Sequence, residues 1–264
     1  MANQPLRLEI GAGVARLTLN RPDIHNAFDD DLIARLTEAL ERIEADPAVR
    51  AVVLAATGKS FSAGADLNWM RRMAGYSAAE NRADADRLAA MLRRLNRLAK
   101  PTVALVQGAA FGGGVGLIAC CDIVVAARPA RFALTEVRLG ILPAVISPYV
   151  VAAIGERAAR RYLLTAERFD AVEAHRLGLV HAVVEADALE STGATLLAEL
   201  AKAGPQALGE TKDLIFRVSR GPVDQAMIDD TAARITRIRA SDEGREGLGA
   251  FLDKRPPAWL AGSD

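Results

Sequence analysis

Gly108-Ala109-Ala110-Phe111-Gly112-Gly113-Gly114 runs straight into the apolar stretch Val115-Gly116-Leu117-Ile118-Ala119-Cys120-Cys121. A run almost free of side chains, followed by residues 115–121 that read as a buried helix, is unusual in a globular protein. Short apolar strands are expected on both sides of it, at Thr102–Val106 and Ile123–Ala127. A chain that alternates strand and helix this closely builds an α/β core.

Working outward toward the N-terminus, Val14–Leu19 reads as a strand, with residues 6–10 as a hairpin partner across Gly11 and Gly13. Asn20-Arg21-Pro22-Asp23 is turn chemistry. Ile33, Leu36, Leu40 and Ile43 recur at helical spacing behind Asp29-Asp30-Asp31, whose carboxylates suit a helix N-terminus. Residues 51–55 form another short apolar strand, and 58–64 a loop of small and polar residues. Ser77 with Glu80 is a capping-box signature, opening a helix that turns Leu88, Met91, Leu92 and Leu95 inward and stops at Lys100-Pro101.

Toward the C-terminus, a strand is expected near residues 179–184. Helical patterns then follow over 188–203, 205–219, 222–240 and 242–252. The expected organisation is a core over 1–200 and a helical region over 201–264.

Half of the chain is apolar and a quarter charged, as in ordinary globular proteins. The 33 basic and 33 acidic residues balance without long runs of either sign, which disfavours a nucleic-acid partner. The only cysteines, Cys120 and Cys121, are adjacent and offer no disulfide framework, pointing to a reducing compartment. Neither a signal peptide nor a stretch able to span a bilayer is evident. The cytoplasm is the expected compartment.

Several familiar chemistries fail on context. Gly114-Val115-Gly116-Leu117-Ile118-Ala119 fits the dinucleotide pattern, but the next strand begins near Ile123, leaving too little helix, and no acid ends that strand. His25, His175 and His181 lack metal-ligand spacing, and Ser62 and Ser147 lack a nucleophile elbow. Arg71-Arg72 reads as a solvated helix face, and Trp69 as core or pocket wall.

Three segments remain. Phe61-Ser62-Ala63-Gly64-Ala65-Asp66-Leu67 is a run of small residues after a strand. The second is the glycine run at 108–114. Thr135-Glu136-Val137-Arg138-Leu139-Gly140-Ile141-Leu142-Pro143 sets an acid among apolar neighbours. Backbone without side chains lets a carbonyl approach peptide N–H groups, and a helix N-terminus adds partial positive charge. Two such donors, one per loop, would make an oxyanion hole worth roughly 3 kcal/mol per donor. An acid in an apolar pocket has its pKa moved toward the range of a working general base. The residues alone leave plainer readings open: glycines used for close packing, and Glu136 paired with Arg138 or another base.

At these residues the chain resembles the crotonase family of enoyl-CoA hydratases and isomerases. The resemblance runs through Leu19-Asn20-Arg21-Pro22 with Asn26-Ala27, the 61–67 segment, 108–122 and 136–143. It continues in Leu163-Leu164-Thr165-Ala166, 174–180 and 246–257. It implies a β-β-α superhelical core, trimers or hexamers formed through the helical C-terminal region, and an acyl-CoA substrate with no cofactor besides its coenzyme A. It implies Glu136 as the proton-transfer group and Ala65 and Gly113 as oxyanion donors. Coenzyme A is expected along His25, Ala27, Ala63, Asp66 and Leu67. Trp69, Gly112, Thr135 and Pro143 join the substrate-binding set.

Family hydratases generally carry a second glutamate where this chain has Gly116. Substituting Gly116→Glu is therefore expected to add an acid if that position faces the reacting carbons. The segments 67–73, 111–116 and 143–149 resemble a bacterial subgroup that shares this glycine. That subgroup is associated with 3-methylglutaconyl-CoA hydration in leucine and isovalerate breakdown, or with the related step on terpenoid acyl-CoAs. Three expectations follow: a one-glutamate hydratase, a Δ3-Δ2 enoyl-CoA isomerase, and a non-catalytic binder of acyl-CoA or RNA.

Overall fold

The computed structural model describes residues 4–219 and 221–260. Residues 1–3 of the N-terminal stretch and 261–264 of the helical region lie outside the described residues. The chain opens with strands β1 (Leu6–Gly11) and β2 (Val14–Leu19), then helix α1 (Asp30–Ala45) and strand β3 (Ala51–Ala56). Helices α2 (Leu67–Met73) and α3 (Ala78–Arg97) precede β4 (Thr102–Val106), β5 (Ala109–Phe111), α4 (Gly113–Cys120), β6 (Ile123–Ala127) and β7 (Arg131–Ala133). Next come α5 (Ser147–Thr165), β8 (Phe169–Asp170), α6 (Ala171–Leu177) and β9 (Ala182–Val184). The described chain finishes with α7 (Leu189–Ala201), α8 (Pro205–Val218), α9 (Gln225–Ala240) and α10 (Asp242–Leu252).

Six strands form one sheet in the order β1-β2-β3-β4-β6-β9, parallel except for the β1–β2 hairpin. Residues of β4 are buried without alternation, because helices cover both faces of the sheet. Leu17, Leu54, Ala104 and Val124 face the larger core with α1, α3 and α4, while Val53, Leu105 and Val125 face Leu189 and the α7 side.

A second, smaller sheet was not legible in the sequence: β5 pairs parallel with β7, and β7 antiparallel with β8. Segments of two or three residues carry no period to read. Single bridges extend this layer, joining Ser62 to Ala110 and Phe28 to Ala65. It therefore carries the candidate loops side by side.

Two helix starts moved by two residues or more. α4 starts at Gly113 rather than Val115, so two glycines of the run lie inside its first turn. α9 starts at Gln225 rather than near Pro222, because the Asp224 side chain caps it by accepting from the Met227 N–H.

Candidate active site

The 61–67 segment is held from both sides. Ser62 N–H donates to Ala109 O (3.0 Å) and Phe111 N–H to Ser62 O (2.9 Å), while the Ser62 hydroxyl donates to Asn26 O (2.9 Å). On the other side Phe28 N–H donates to Gly64 O and Asp66 N–H to Phe28 O, both at 2.7 Å. These two bonds flank Ala65, so in a parallel bridge its own N–H turns away from Phe28. Ala63, Ala65 and Leu67 are exposed, and Ser62, Gly64 and Asp66 are buried.

Gly112 stands before α4 with φ 50° and ψ −116°, a conformation that strongly favours glycine. A Cβ there would lie 3.1 Å from Glu136 Oε1 and 4.0 Å from Gly64 Cα. The two small-residue loops and the acid of the third segment therefore meet at one point. Gly113 is the first residue of α4, and its N–H belongs to the helix's free first turn. Among the described residues, neither Ala65 N–H nor Gly113 N–H is taken by an acceptor. N–H groups so placed can hold the oxygen of a polarised thioester carbonyl.

Glu136 opens a short 3-10 turn, Glu136–Leu139. Its carboxylate oxygen Oε2 is buried without a partner among the described residues. The side chain of Arg138 goes elsewhere, donating to Thr165 O at 3.4 Å. Pairing of Glu136 with Arg138 is therefore not what holds the acid. Burial raises its pKa above the ordinary carboxylate value, opposed in part by a hydrogen bond from its own backbone N–H. A carboxylate with no ion-pair partner among the described residues, and costly to ionise, is what proton transfer near neutrality requires.

The remaining candidates fall into distinct roles. His25 is exposed in a left-handed turn (φ 53°), its Nδ1 3.0 Å from the Ser60 hydroxyl, and its carbonyl accepts from Ala63 N–H (2.9 Å). Ala27 is buried beside it. The Asp66 carboxylate accepts from Asn68 and Trp69 N–H groups (2.8 and 3.0 Å) and so caps α2. Trp69 is buried in the core, its indole Nε1 without a partner among the described residues. Thr135 is half-buried directly before Glu136, and Pro143 is buried. Arg72 pairs with Asp30 at 2.5 Å.

Two residues gained importance that the sequence did not disclose. Asn26 (φ 52°) is fully buried; its side chain accepts from Arg21 N–H and donates to Thr57 O and Ser60 O, tying the 22–28 turn to the 57–64 loop. Ile146 fills the space facing Gly116: a Cβ on Gly116 would lie 2.3 Å from Ile146 Cγ2 and 2.9 Å from its Cβ. A glutamate at 116 would therefore have to displace Ile146 before it could add an acid, since Ile146 already occupies the space its first carbon needs.

A largely parallel sheet with a second small layer, carrying free N–H groups beside a half-buried carboxylate that has no ion-pair partner among the described residues, is the arrangement of the crotonase class. The chain belongs to the enoyl-CoA hydratase/isomerase family, whose sequence model matches residues 9–262. It is 38% identical over 246 residues to a putative enoyl-CoA hydratase of Thermus thermophilus, covering 93% of this chain and 97% of that one. It is 34% identical to the 2,3-dehydroadipyl-CoA hydratase of Escherichia coli, over 92% and 94% of the two chains. The crystal structure of an enoyl-CoA hydratase from Shewanella pealeana superposes with a TM-score of 0.95 at 46% identity, covering 98% of this chain and 97% of that one. An acyl-CoA substrate is implied by the family.

Proposed function

We propose that the protein hydrates a conjugated enoyl-CoA of the 3-methylglutaconyl-CoA type, in leucine, isovalerate or related branched acyl-CoA breakdown. Glu136 is its single proton-transfer group. The observation that carries this reading is the half-buried Glu136 carboxylate, its Oε2 buried without a partner among the described residues, set against Gly112 beside the free N–H groups of Ala65 and Gly113.

The thioester oxygen sits between the Ala65 and Gly113 N–H groups. Glu136 takes a proton from water, whose hydroxide adds to the β-carbon while the π electrons move onto the thioester oxygen. The resulting enolate is held by the two donors. Glu136 then returns the proton to the α-carbon, so one water is added and the carboxylate is regenerated. Coenzyme A lies along His25, Ala27, Ala63, Asp66 and Leu67. The acyl group lies by Trp69, Gly112, Thr135 and Pro143, with no cofactor besides the carried coenzyme A. The E. coli relative is named for a dicarboxylic acyl group, which supports a substrate of that kind.

We further infer a homotrimer, or a hexamer of two trimers, formed through the helical region. Val223, Phe251 and Leu252 are more than 70% exposed there and suit burial against a second copy. Among the described residues no helix is long and apolar enough to cross a membrane. The cytoplasm is the compartment we assign.

The second reading is Δ3-Δ2 isomerisation. A lone Glu136 suits it, since one carboxylate can remove a proton from C2 and return it to C4 of the same dienolate. Ultraviolet loss of the conjugated thioester on adding 3-methylglutaconyl-CoA, with Glu136→Gln as control, separates the two. Rapid loss abolished by the substitution supports hydration. No loss by the folded wild type, with turnover of a 3-enoyl-CoA instead, supports isomerisation. No turnover of either leaves a binder.

A further inference from the structure

The acid at 136 and the donor at 113 lie on different elements, tied on the near side by Gly112 N–H donating to Ala133 O (2.9 Å), which leaves the far side of the acid to be held through its loop. Glu136 begins a loop that runs to Ile146, the residue directly before α5. The middle of this loop is weakly held. Leu139, Ile141 and Leu142 are 59%, 54% and 70% exposed, and its backbone bonds there are internal, Gly140 N–H to Val137 O and Ile141 N–H to Glu136 O. Its far end is anchored: Pro143 is buried and Ile146 is 3% exposed.

The loop meets α4 at two bare backbone positions one helical turn apart. At one end, Glu136 Oε1 lies against Gly112; at the other, the Ile146 side chain lies against Gly116. Gly116 N–H donates to Gly112 O (3.1 Å), so the two contacts share one rigid turn, which also contains Gly113. The Ile146 contact is tight enough that a Cβ on Gly116 forces a shift of more than 1 Å before ordinary contact is restored.

We propose that Ile146 is a positioning residue for the reaction: its Cγ2 methyl, seated on Gly116, sets how closely the Glu136 carboxylate approaches the Gly113 N–H. The proposal rests on the assignment of Glu136 and Gly113 made above. The Ile146 side chain carries no group that can take or give a proton. It acts through the loop, and a shift of about 1 Å in such a group costs on the order of a hundredfold in rate.

Two substitutions separate positioning from plain filling of space. Ile146→Val keeps the Cγ2 methyl and loses volume. Ile146→Leu keeps the volume and loses the branch at Cβ. Positioning predicts that Val retains kcat within about threefold while Leu loses about tenfold or more, with KM little changed in both. In the Leu variant the acid limb of the kcat profile moves to lower pH, because a displaced carboxylate is better hydrated. Space filling predicts the reverse order, since Leu conserves volume. Any order other than Val above Leu overturns the proposal, as does an unmoved acid limb in the Leu variant. Gly116→Ala, which pushes on the same contact from the other side, is expected to lose about a hundredfold in kcat. Wild-type kcat in that variant also overturns the proposal. Glu136→Gln run alongside separates the two ideas. If it is inactive while Leu equals Val, the positioning role alone fails; if it is fully active, the reading of the site fails and takes this one with it.

Discussion

Glu136 Oε1 lies 3.1 Å from the place a Cβ would take on Gly112, and Gly112 itself holds φ 50° and ψ −116°. The acid thus rests on a backbone position where a side chain is both strained and in its way. Gly112→Ala is expected to displace the carboxylate and cut kcat about a hundredfold, with stability lowered by about 1–3 kcal/mol from the backbone alone. Steady-state kinetics with a thermal melt checks this. A folded variant with wild-type kcat would mean that the carboxylate does not work where it sits.

Burial of the Glu136 carboxylate raises its pKa and gives a prediction with a definite sign. In the window above the ordinary carboxylate pKa the native state binds more protons at this site than the unfolded chain. Its contribution to stability is therefore fully present at low pH and lost as pH rises through the folded pKa. At pH 7 the ionised acid is a liability to the fold, retained for turnover. Glu136→Gln should melt higher than wild type at pH 7, with the gap closing toward pH 4, while turnover falls on the order of 10²–10⁴-fold. A variant that melts lower at pH 7 would argue that Glu136 is a structural group.

How much of this could be read from sequence depends on the range over which each feature is encoded. β3, β4 and β6 are apolar runs bounded by turns, and α3 announces itself locally: Ser77 and Glu80 form the expected reciprocal cap, with Ser77 N–H donating to Glu80 Oε2 at 2.8 Å. Glu136 was legible as an acid with apolar neighbours. The layer of β5, β7 and β8 was not, because pairing of such short segments is decided by what lies beside them in space. Nor was the start of α4 at Gly113, since glycines are poor helix formers and only packing overrides that. Ile146 was hidden for the same reason as the Gly116 contact: complementarity of size between distant positions leaves no pattern along the chain.

Lys212 of α8 is nearly buried, and its Nζ donates to Asp122 Oδ2 at 2.7 Å. The same oxygen accepts from Thr102 N–H (2.8 Å) and the Thr102 hydroxyl (2.9 Å). A helix of the C-terminal region is thereby pinned to the end of β4. Lys212→Met should destabilise by about 2 kcal/mol, below the 3–5 kcal/mol of a fully buried pair because Asp122 is about a quarter exposed. Denaturant unfolding measures the loss, and kcat of the folded fraction should not change. A loss under about 0.5 kcal/mol would show that the Lys212–Asp122 pair does not hold α8 in place.

One histidine bridges the seam between β6 and β9. His181 N–H donates to Val124 O (2.8 Å), and its ring Nδ1 accepts from Val124 N–H (3.0 Å). A ring nitrogen that accepts a hydrogen bond must be unprotonated, so acid breaks this contact. Burial lowers the His181 pKa and neighbouring His175 lowers it further, while Asp122 opposes them. With the folded pKa depressed, the unfolded chain binds more protons as pH falls. The contribution is therefore present above the ordinary histidine pKa of 6.5 and lost as pH falls through and below it. Melting temperature should drop between about pH 7 and 5, and less so in His181→Gln, whose side-chain oxygen accepts the same bond without titrating. Protection of the Val124 amide against exchange, taken relative to its intrinsic rate at each pH, should fall over the same range in the wild type only. Identical pH profiles for the two proteins would move the acid sensitivity to another group.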